Sequence, residues 1–159
     1  MRVGMTVDLS ELLAAAQAVL VERGINAPME EIARRAGVGI GTLYRRFPDR
    51  DALVGAVISD TVTRLVAIGE HELADGPSAW DALHRLLRQC VDMRLGVLLT
   101  LLGTRLFAAL RAYAELRAAR EALITLLDRM VDAAQTEGTM RRDVGGRSRR
   151  DMTTVMPRS

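Results

Sequence analysis

Apolar residues recur in this chain with the spacing of an α-helix, and this period constrains the fold more than any other feature. In the first periodic stretch the apolar positions fall at i, i+3, i+4, i+7, i+10 and i+11, so they share one helix face. They are Leu9, Leu12, Leu13, Ala16, Val19 and Leu20. Asp8 with Glu11 three residues later has the pattern of a capping box, and Gly24 suits a left-handed stop. The spacing therefore predicts a helix that begins after Asp8 and ends at Gly24.

Two short helices and a long one are expected next. The first covers residues 28–36, because Pro28 suits the first turn of a helix and Gly37 can end it. The second covers residues 39–47 and stops at the proline that follows. Asp49 can then cap a long fourth helix. The buried stripe predicted for that helix consists of Val54, Ile58, Thr61, Leu65 and Ile68.

The clearest break in the chain is Asp-Gly-Pro at residues 75–77, and further helices follow it. Ser78 with Asp81 restarts a helix, and Gly96 and Gly103 bracket another turn or helix. The predicted apolar face of the restarted helix includes Trp80, Leu83, Leu87 and Cys90 or Val91. A long final helix runs to a stop at Gly138 through Leu116, Ala119, Leu123, Leu126, Leu127, Met130 and Ala134.

Composition supports an all-α fold. Apolar residues make up 49% of the chain, which is enough for a sizeable core, while aromatic residues make up only 3%, which disfavours a β sandwich or barrel. All 22 basic residues are arginine, and the formal net charge is +2. Residues 141–159 hold six Arg and two Asp without an apolar period, so this end is predicted to be a disordered basic tail. The basic character is therefore a property of the tail, which could add non-specific phosphate affinity or simply be solvated.

Several classes of protein are disfavoured by what the sequence contains. Cys90 is the lone cysteine, so neither an internal disulfide nor a thiolate metal cluster is expected, and His71 and His84 are too isolated for a metal pair. We find no phosphate-binding glycine loop, nucleophile motif or carboxylate pair, and therefore predict no enzyme and no cofactor. The opening residues do not resemble a secretory segment, and the apolar run 97–102 is too short for a membrane span. A cytoplasmic protein without a membrane partner is the expectation.

The segment PMEEIARRAGVGIGTLYRRF at residues 28–47 has the form helix, short turn, helix. Small residues at Ala33 and Ala36 allow two helices to cross closely, and Gly37 tolerates a positive φ at the bend. Val38 and Leu43 would anchor the second helix on the first two helices of the chain. The residues left outward on the second helix of the segment are Ile40, Thr42, Tyr44, Arg45 and Arg46.

Those outward side chains have the chemistry of a DNA contact. Hydroxyl groups of Thr42 and Tyr44 suit phosphate oxygens, and a threonine methyl can touch a thymine methyl. Arginine neutralises phosphate or binds guanine through both of its terminal nitrogens. An ordinary helical hairpin is the alternative for the segment. On the preceding helix, Arg34 and Arg35 either touch DNA or are solvated or paired with Glu30 or Glu31.

The run EEIARRAGVGIGTLYRRFPDRDAL resembles the N-terminal domain of the TetR (tetracycline-repressor) family of bacterial transcription regulators. The motif resemblance covers residues 9–60, and the helical layout continues to about residue 140. It implies a three-helix DNA-binding domain at 1–53 and a helical ligand-binding or regulatory domain at 54–140. It also implies a homodimer bound to a near-palindromic operator in double-stranded DNA.

The resemblance assigns roles to particular residues. Thr42 and Tyr44 lie at the usual DNA-contact positions of GTLY, and Arg50 lies where the family commonly has a lysine that contacts the DNA backbone. The remaining DNA-binding candidates are Gly39, Ile40, Arg45 and Arg46. Gly39 replaces a frequent serine, and Ala27-Pro28 replaces a frequent threonine, so two expected phosphate contacts are missing.

The C-terminal helices offer weaker assignments. The residues that line an effector pocket, or else belong to the plain core, are Trp80, Cys90, Met93, Phe107, Tyr113 and Met130. Because few polar residues interrupt these helices, the expected effector is a small and mainly apolar molecule. No metal ligand is predicted.

The end of the chain departs from the family pattern. Members usually finish with two long helices that pair with the partner subunit, whereas here the period stops near Gly138 and the tail offers no apolar dimer face. We hypothesise a chain truncated or shifted out of frame after about Val144. The first functional prediction is a sequence-specific transcriptional regulator, a repressor relieved by ligand. The alternative is a helical ligand-binding or protein-interaction module that has lost operator binding together with its dimerisation helices.

Overall fold

The computed structural model describes residues 8–96 and 113–140, and these residues form six helices and no strand. The all-α prediction is therefore confirmed. The helices are α1 (Leu9–Arg23), α2 (Met29–Ala36), α3 (Ile40–Arg46), α4 (Arg50–Asp75), α5 (Ala79–Asp92) and α6 (Ala114–Thr136). The predictions made for Gly103, Phe107 and the tail at 141–159 lie outside the described residues.

Local signals in the sequence place the helix ends. The carboxylate of Asp8 accepts the N–H of Ser10 at 3.2 Å, one residue nearer than the expected pairing with Glu11. At the start of α5 Ser78 is the N-cap, as expected: its Oγ accepts the N–H of Asp81 at 3.1 Å and donates to the Asp81 carboxylate at 2.8 Å. Gly138 follows α6 with φ +74°, as expected of a left-handed stop.

Helix α4 is the centre of the molecule and packs against α1, α5 and α6. Its buried positions include those predicted at Val54, Ile58, Thr61 and Leu65, whereas Ile68 of the predicted stripe is only half-buried. Gly69 lies where α4 meets α5 and α6: a Cβ there would come within 2.5 Å of Leu126 Cδ2 and 3.3 Å of Leu86 Cδ1 and Met130 Cε. The helix is continuous through residues 53 and 54, where the sequence divides the two domains.

Helix α4 is also long and apolar enough to cross a membrane by length and composition alone. Its most apolar window of 18 residues has a mean hydropathy of 1.5 and is 50% buried inside the structure. Packing against three other helices accounts for this apolar character, since a core helix buries much of its circumference.

The predicted face of α5 is partly wrong: Leu83 is buried and Trp80 and Cys90 pack against the core, but Leu87 does not. The buried residues are Ala79, Ala82, Leu83 and Leu86, whereas Leu87 is 52% exposed and Val91 is 75% exposed. Leu86 and Leu87 are adjacent, so either of them completes a helical period and the sequence does not distinguish the two faces. Packing against α4 and α6 selects the face that contains Leu86, and one hydrogen bond also ties the start of α5 to the end of α6. The N–H of Ala79 donates to both carboxylate oxygens of Glu137, just after α6, at 3.1 and 2.9 Å.

Candidate nucleic-acid interface

The turn between α2 and α3 is built on Gly37. This residue has φ +69° and ψ 26°, the left-handed conformation that glycine adopts without strain. Its N–H donates to the carbonyl of Arg34 at 3.2 Å, and the N–H of Val38 donates to the carbonyl of Ala33 at 3.0 Å. These bonds satisfy carbonyls at the end of α2 and fix the direction in which the chain enters α3.

Helix α3 is held to the rest of the domain from one side. Leu43 is its one fully buried residue, and Phe47, which follows the helix, is 8% exposed. Both belong to the core that includes α1, α2 and the first turns of α4. The predicted anchoring role of Leu43 is confirmed.

The opposite side of α3 faces solvent. Ile40 is 38% exposed and Tyr44 is 44% exposed, although both are large apolar or aromatic residues. Every other candidate on this helix is also exposed, namely Gly39 at its N-cap, Thr42, Arg45 and Arg46. The structure therefore exposes six of the seven DNA-binding candidates together on α3 and its N-cap, and we call this exposed part the α3 surface.

The arginines around the α3 surface differ in whether they are paired with a carboxylate. In the part of the chain that the structure describes, Arg45 and Arg46 have no ion-pair partner. On α1 and α2 the arginines are paired: Arg35 donates to both carboxylate oxygens of Glu22 at 3.1 and 3.4 Å. The guanidinium groups on α3 are therefore available to an external anion.

Glu31 organises the other pairs on α1 and α2. Its carboxylate lies 3.0 Å from Arg23 Nη2 and 3.6 Å from Arg34 Nη2. The expected pairing of Arg34 with Glu31 is present, whereas Arg35 pairs with Glu22 across to α1 instead of with Glu30 or Glu31. Sequence reasoning missed that contact because it joins residues 13 positions apart on two helices.

Arg50 differs from the six candidates on the α3 surface. It is the first residue of α4 and is partly buried, and its Nη1 donates to the carbonyl oxygen of Ile25 at 2.8 Å. Ile25 lies in the turn between α1 and α2. The guanidinium of Arg50 therefore has a partner within the protein.

The residues proposed for an effector pocket that lie in the described part of the chain have different surroundings. Phe107 is outside the described residues, and Met130 is fully buried among the core residues beside Gly69. Trp80 packs edge-on against His84 with ring centroids 4.4 Å apart. Cys90, Met93 and Tyr113 line three different clefts.

Tyr113 lines a cleft of about 390 Å³ between the first half of α4 and the start of α6. The ring lies against Gly55, where a Cβ would come within 3.1 Å of Tyr113 Cδ2. Burial, helped by the negative charges of Asp49 and Asp51, raises the pKa of the Tyr113 phenol. The cleft is also lined by Phe47, Ala52, Ala56, Ser59, Ala114, Glu115 and Leu116.

The described part of the chain contains no metal-binding cluster and no activated thiol. No group of three or more His, Cys, Asp or Glu side chains could hold a metal ion there. Nδ1 of His71 lies 2.9 Å from the carboxylate of Asp75, one turn further along α4. Burial raises the pKa of the Cys90 thiol, which disfavours the reactive thiolate.

Two short helices joined by a left-handed turn, with the second helix exposed, have the arrangement of a DNA-binding helix-turn-helix. Comparison with known proteins identifies the family. The sequence profile described as "Bacterial regulatory proteins, tetR family" matches residues 12–57. No curated protein matches the chain significantly.

Solved structures extend the match beyond the DNA-binding helices. A TetR transcriptional regulator from Streptomyces coelicolor is 35% identical with a TM-score of 0.63, and the match covers 85% of this chain and 76% of that one. A TetR transcription regulatory protein from Mycobacterium vanbaalenii is 38% identical with a TM-score of 0.65, covering 85% of this chain and 80% of the other. The chain belongs to the TetR family, and it is a transcription regulator with a DNA-binding helix-turn-helix.

Proposed function

We propose that this regulator represses transcription by placing α3 in the major groove of a near-palindromic operator. The α3 surface carries the proposal, because a short helix held by one buried leucine exposes Thr42, Tyr44, Arg45 and Arg46 together. Hydroxyl and guanidinium groups donate hydrogen bonds, and phosphate oxygens and base edges accept them. Gly39 and Ile40 at the start of the helix would approach the DNA most closely, with Ile40 suited to a thymine methyl.

The proposed active form is a homodimer in the cytoplasm. Two copies of α3 would contact half-sites separated by one helical turn of DNA, about 34–36 Å. Family membership supports this arrangement.

A small apolar effector is proposed to relieve repression. The support is the cleft beside Tyr113, which has a mainly apolar lining and lies against Phe47 at the end of the helix-turn-helix. The FadR regulator from Bacillus subtilis, of the same fold at 16% identity and a TM-score of 0.57, was solved in complex with stearoyl-CoA. Dodecanoate is a suitable first probe: we expect it to raise the Tm of this chain and to release bound DNA, and no change in either would exclude a medium-chain fatty acid as the effector.

Alanine substitutions test the α3 surface directly. Thr42→Ala and Tyr44→Ala should each weaken binding to a duplex selected from a random library by about 1–3 kcal/mol at fixed salt, because each removes a hydroxyl contact. Thr125→Ala provides the control, since Thr125 is an exposed threonine on α6, far along the chain from the α3 surface. Titrations of the two α3 variants that match the wild type would remove these residues from the interface.

A further inference from the structure

The two ends of the helix-turn-helix are fastened to each other by one side chain. Arg50, at the start of α4, reaches back to the turn after α1, where its Nη1 lies 2.8 Å from the carbonyl oxygen of Ile25. The same turn is closed by the N–H of Ala27, which donates to the carbonyl of Gly24 at 3.1 Å. Among the described residues, the carbonyl of Ile25 accepts no other hydrogen bond. We call this contact the Arg50 clip.

The clip closes a ring of chain that runs from Ile25 to Arg50. All of α2, the Gly37 turn and α3 lie inside this ring. Helix α3 is short and contributes Leu43 as its one buried side chain, so its direction depends on where the ends of the ring are held. A contact that fixes the distance between those ends therefore also constrains the angle at which α3 is presented.

We propose that Arg50 is a positioning residue that sets the orientation of α3, and that it is not a phosphate contact. This departs from the backbone contact that the family resemblance implies for the position. The clip itself is a contact within the protein and can be tested without DNA. Only the affinity measurements described below rest on the proposed DNA binding.

The distribution of charge supports this division of roles. Arg50 is partly buried and directed at a backbone carbonyl, and Arg35 is directed at Glu22. Arg45 and Arg46 are exposed and, in the described part of the chain, have no ion-pair partner. In the helix-turn-helix, Arg45 and Arg46 on α3 would then neutralise phosphate, while Arg50 on α4 holds α3 in place.

Hydrogen exchange on the free full-length chain tests the clip without DNA. Arg50→Met keeps much of the apolar stem but loses the donor, and amide exchange over residues 28–47 should become about tenfold faster while α6 is unchanged. Arg88→Met, at an exposed arginine on α5, is the control and should change neither region. Unchanged exchange over 28–47 in Arg50→Met would overturn the proposal.

The salt dependence of DNA binding separates positioning from phosphate contact. For a duplex selected from a random library, Arg50→Met should bind about tenfold more weakly with the same slope of log K against log salt. Arg45→Met should reduce that slope by about 0.9 per protomer, because one phosphate contact is lost. An equal loss of slope in Arg50→Met would identify Arg50 as a phosphate contact and overturn the proposal.

Two further comparisons exclude a merely structural role. Loss of folded protein lowers binding to the selected duplex and to its scrambled version equally, whereas a changed α3 angle lowers the ratio between them, which we expect for Arg50→Met. Arg50→Lys keeps the charge on a shorter stem, so the clip predicts an intermediate ratio and a phosphate contact predicts the wild-type ratio. If no duplex is bound selectively, the proposed function fails, and the exchange experiment still decides whether the clip exists.

Discussion

Gly69 shows how a single residue determines the packing of α4, α5 and α6. Glycine inside a helix costs about 1 kcal/mol relative to alanine, so helix propensity alone predicts that Gly69 destabilises α4. In the structure the missing side chain is the reason that Leu126, Leu86 and Met130 can meet there. The cost in helix propensity is offset by close packing.

Gly69→Ala should therefore destabilise the protein by about 1–3 kcal/mol despite the better helix propensity of alanine, because the new Cβ would lie 2.5 Å from Leu126 Cδ2. Gly41→Ala is the matched comparison, since the nearest atom to its Cβ is Arg45 Nη2 at 3.9 Å. That substitution should add up to about 1 kcal/mol of stability. Urea denaturation measures both, and equal effects of the two substitutions would contradict this account of Gly69.

At the scale of the helix, α5 shows the limit of periodicity. The two adjacent leucines give the same period on two faces, and the structure selects the face with Leu86. Leu86→Ala should cost about 2–5 kcal/mol in the free energy of unfolding, because it leaves a cavity in the core. Leu87→Ala should change stability by less than about 1 kcal/mol, since Leu87 is 52% exposed. Denaturation curves in which Leu87→Ala is the more damaging variant would restore the face predicted from the sequence.

Helix ends, in contrast, could be predicted from short-range signals. Gly37, Asp49, Ser78 and Gly138 act within a few residues of themselves, and the structure places a helix end at each of them. The exposed side of α3 was also predictable, because one buried residue, Leu43, fixes which side faces inward.

Contacts between distant elements were not predictable in this way. Gln17 on α1 donates to the carbonyl of Met93 after α5 at 2.8 Å, and its oxygen accepts from Arg64 on α4 at 3.1 Å. These residues are 76 and 47 positions away from Gln17, and no local pattern indicates their pairing. The Arg50 clip escaped prediction for the same reason. The effector-pocket residues were chosen by type alone, and residue type does not specify which cleft a side chain lines.

At the scale of the whole molecule, net charge is a poor guide to DNA binding. Residues 1–53 contain seven arginines and seven acidic residues, so the DNA-binding unit is formally neutral. Ion pairs on α1 and α2 involve Arg23, Arg34 and Arg35, while the arginines of α3 remain exposed. The arrangement of charge, and not its sum, supports DNA as the partner.

Selection from a random duplex library tests the central claim most directly, that this chain reads DNA sequence through α3. The account predicts enrichment of a near-palindromic sequence whose half-sites are centred about one helical turn apart. An Arg45→Met, Tyr44→Ala double variant, selected in parallel with Arg88→Met as the control, should lose that enrichment. Failure of the wild-type chain to enrich any sequence, or the same enriched sequence with the double variant, would contradict the account.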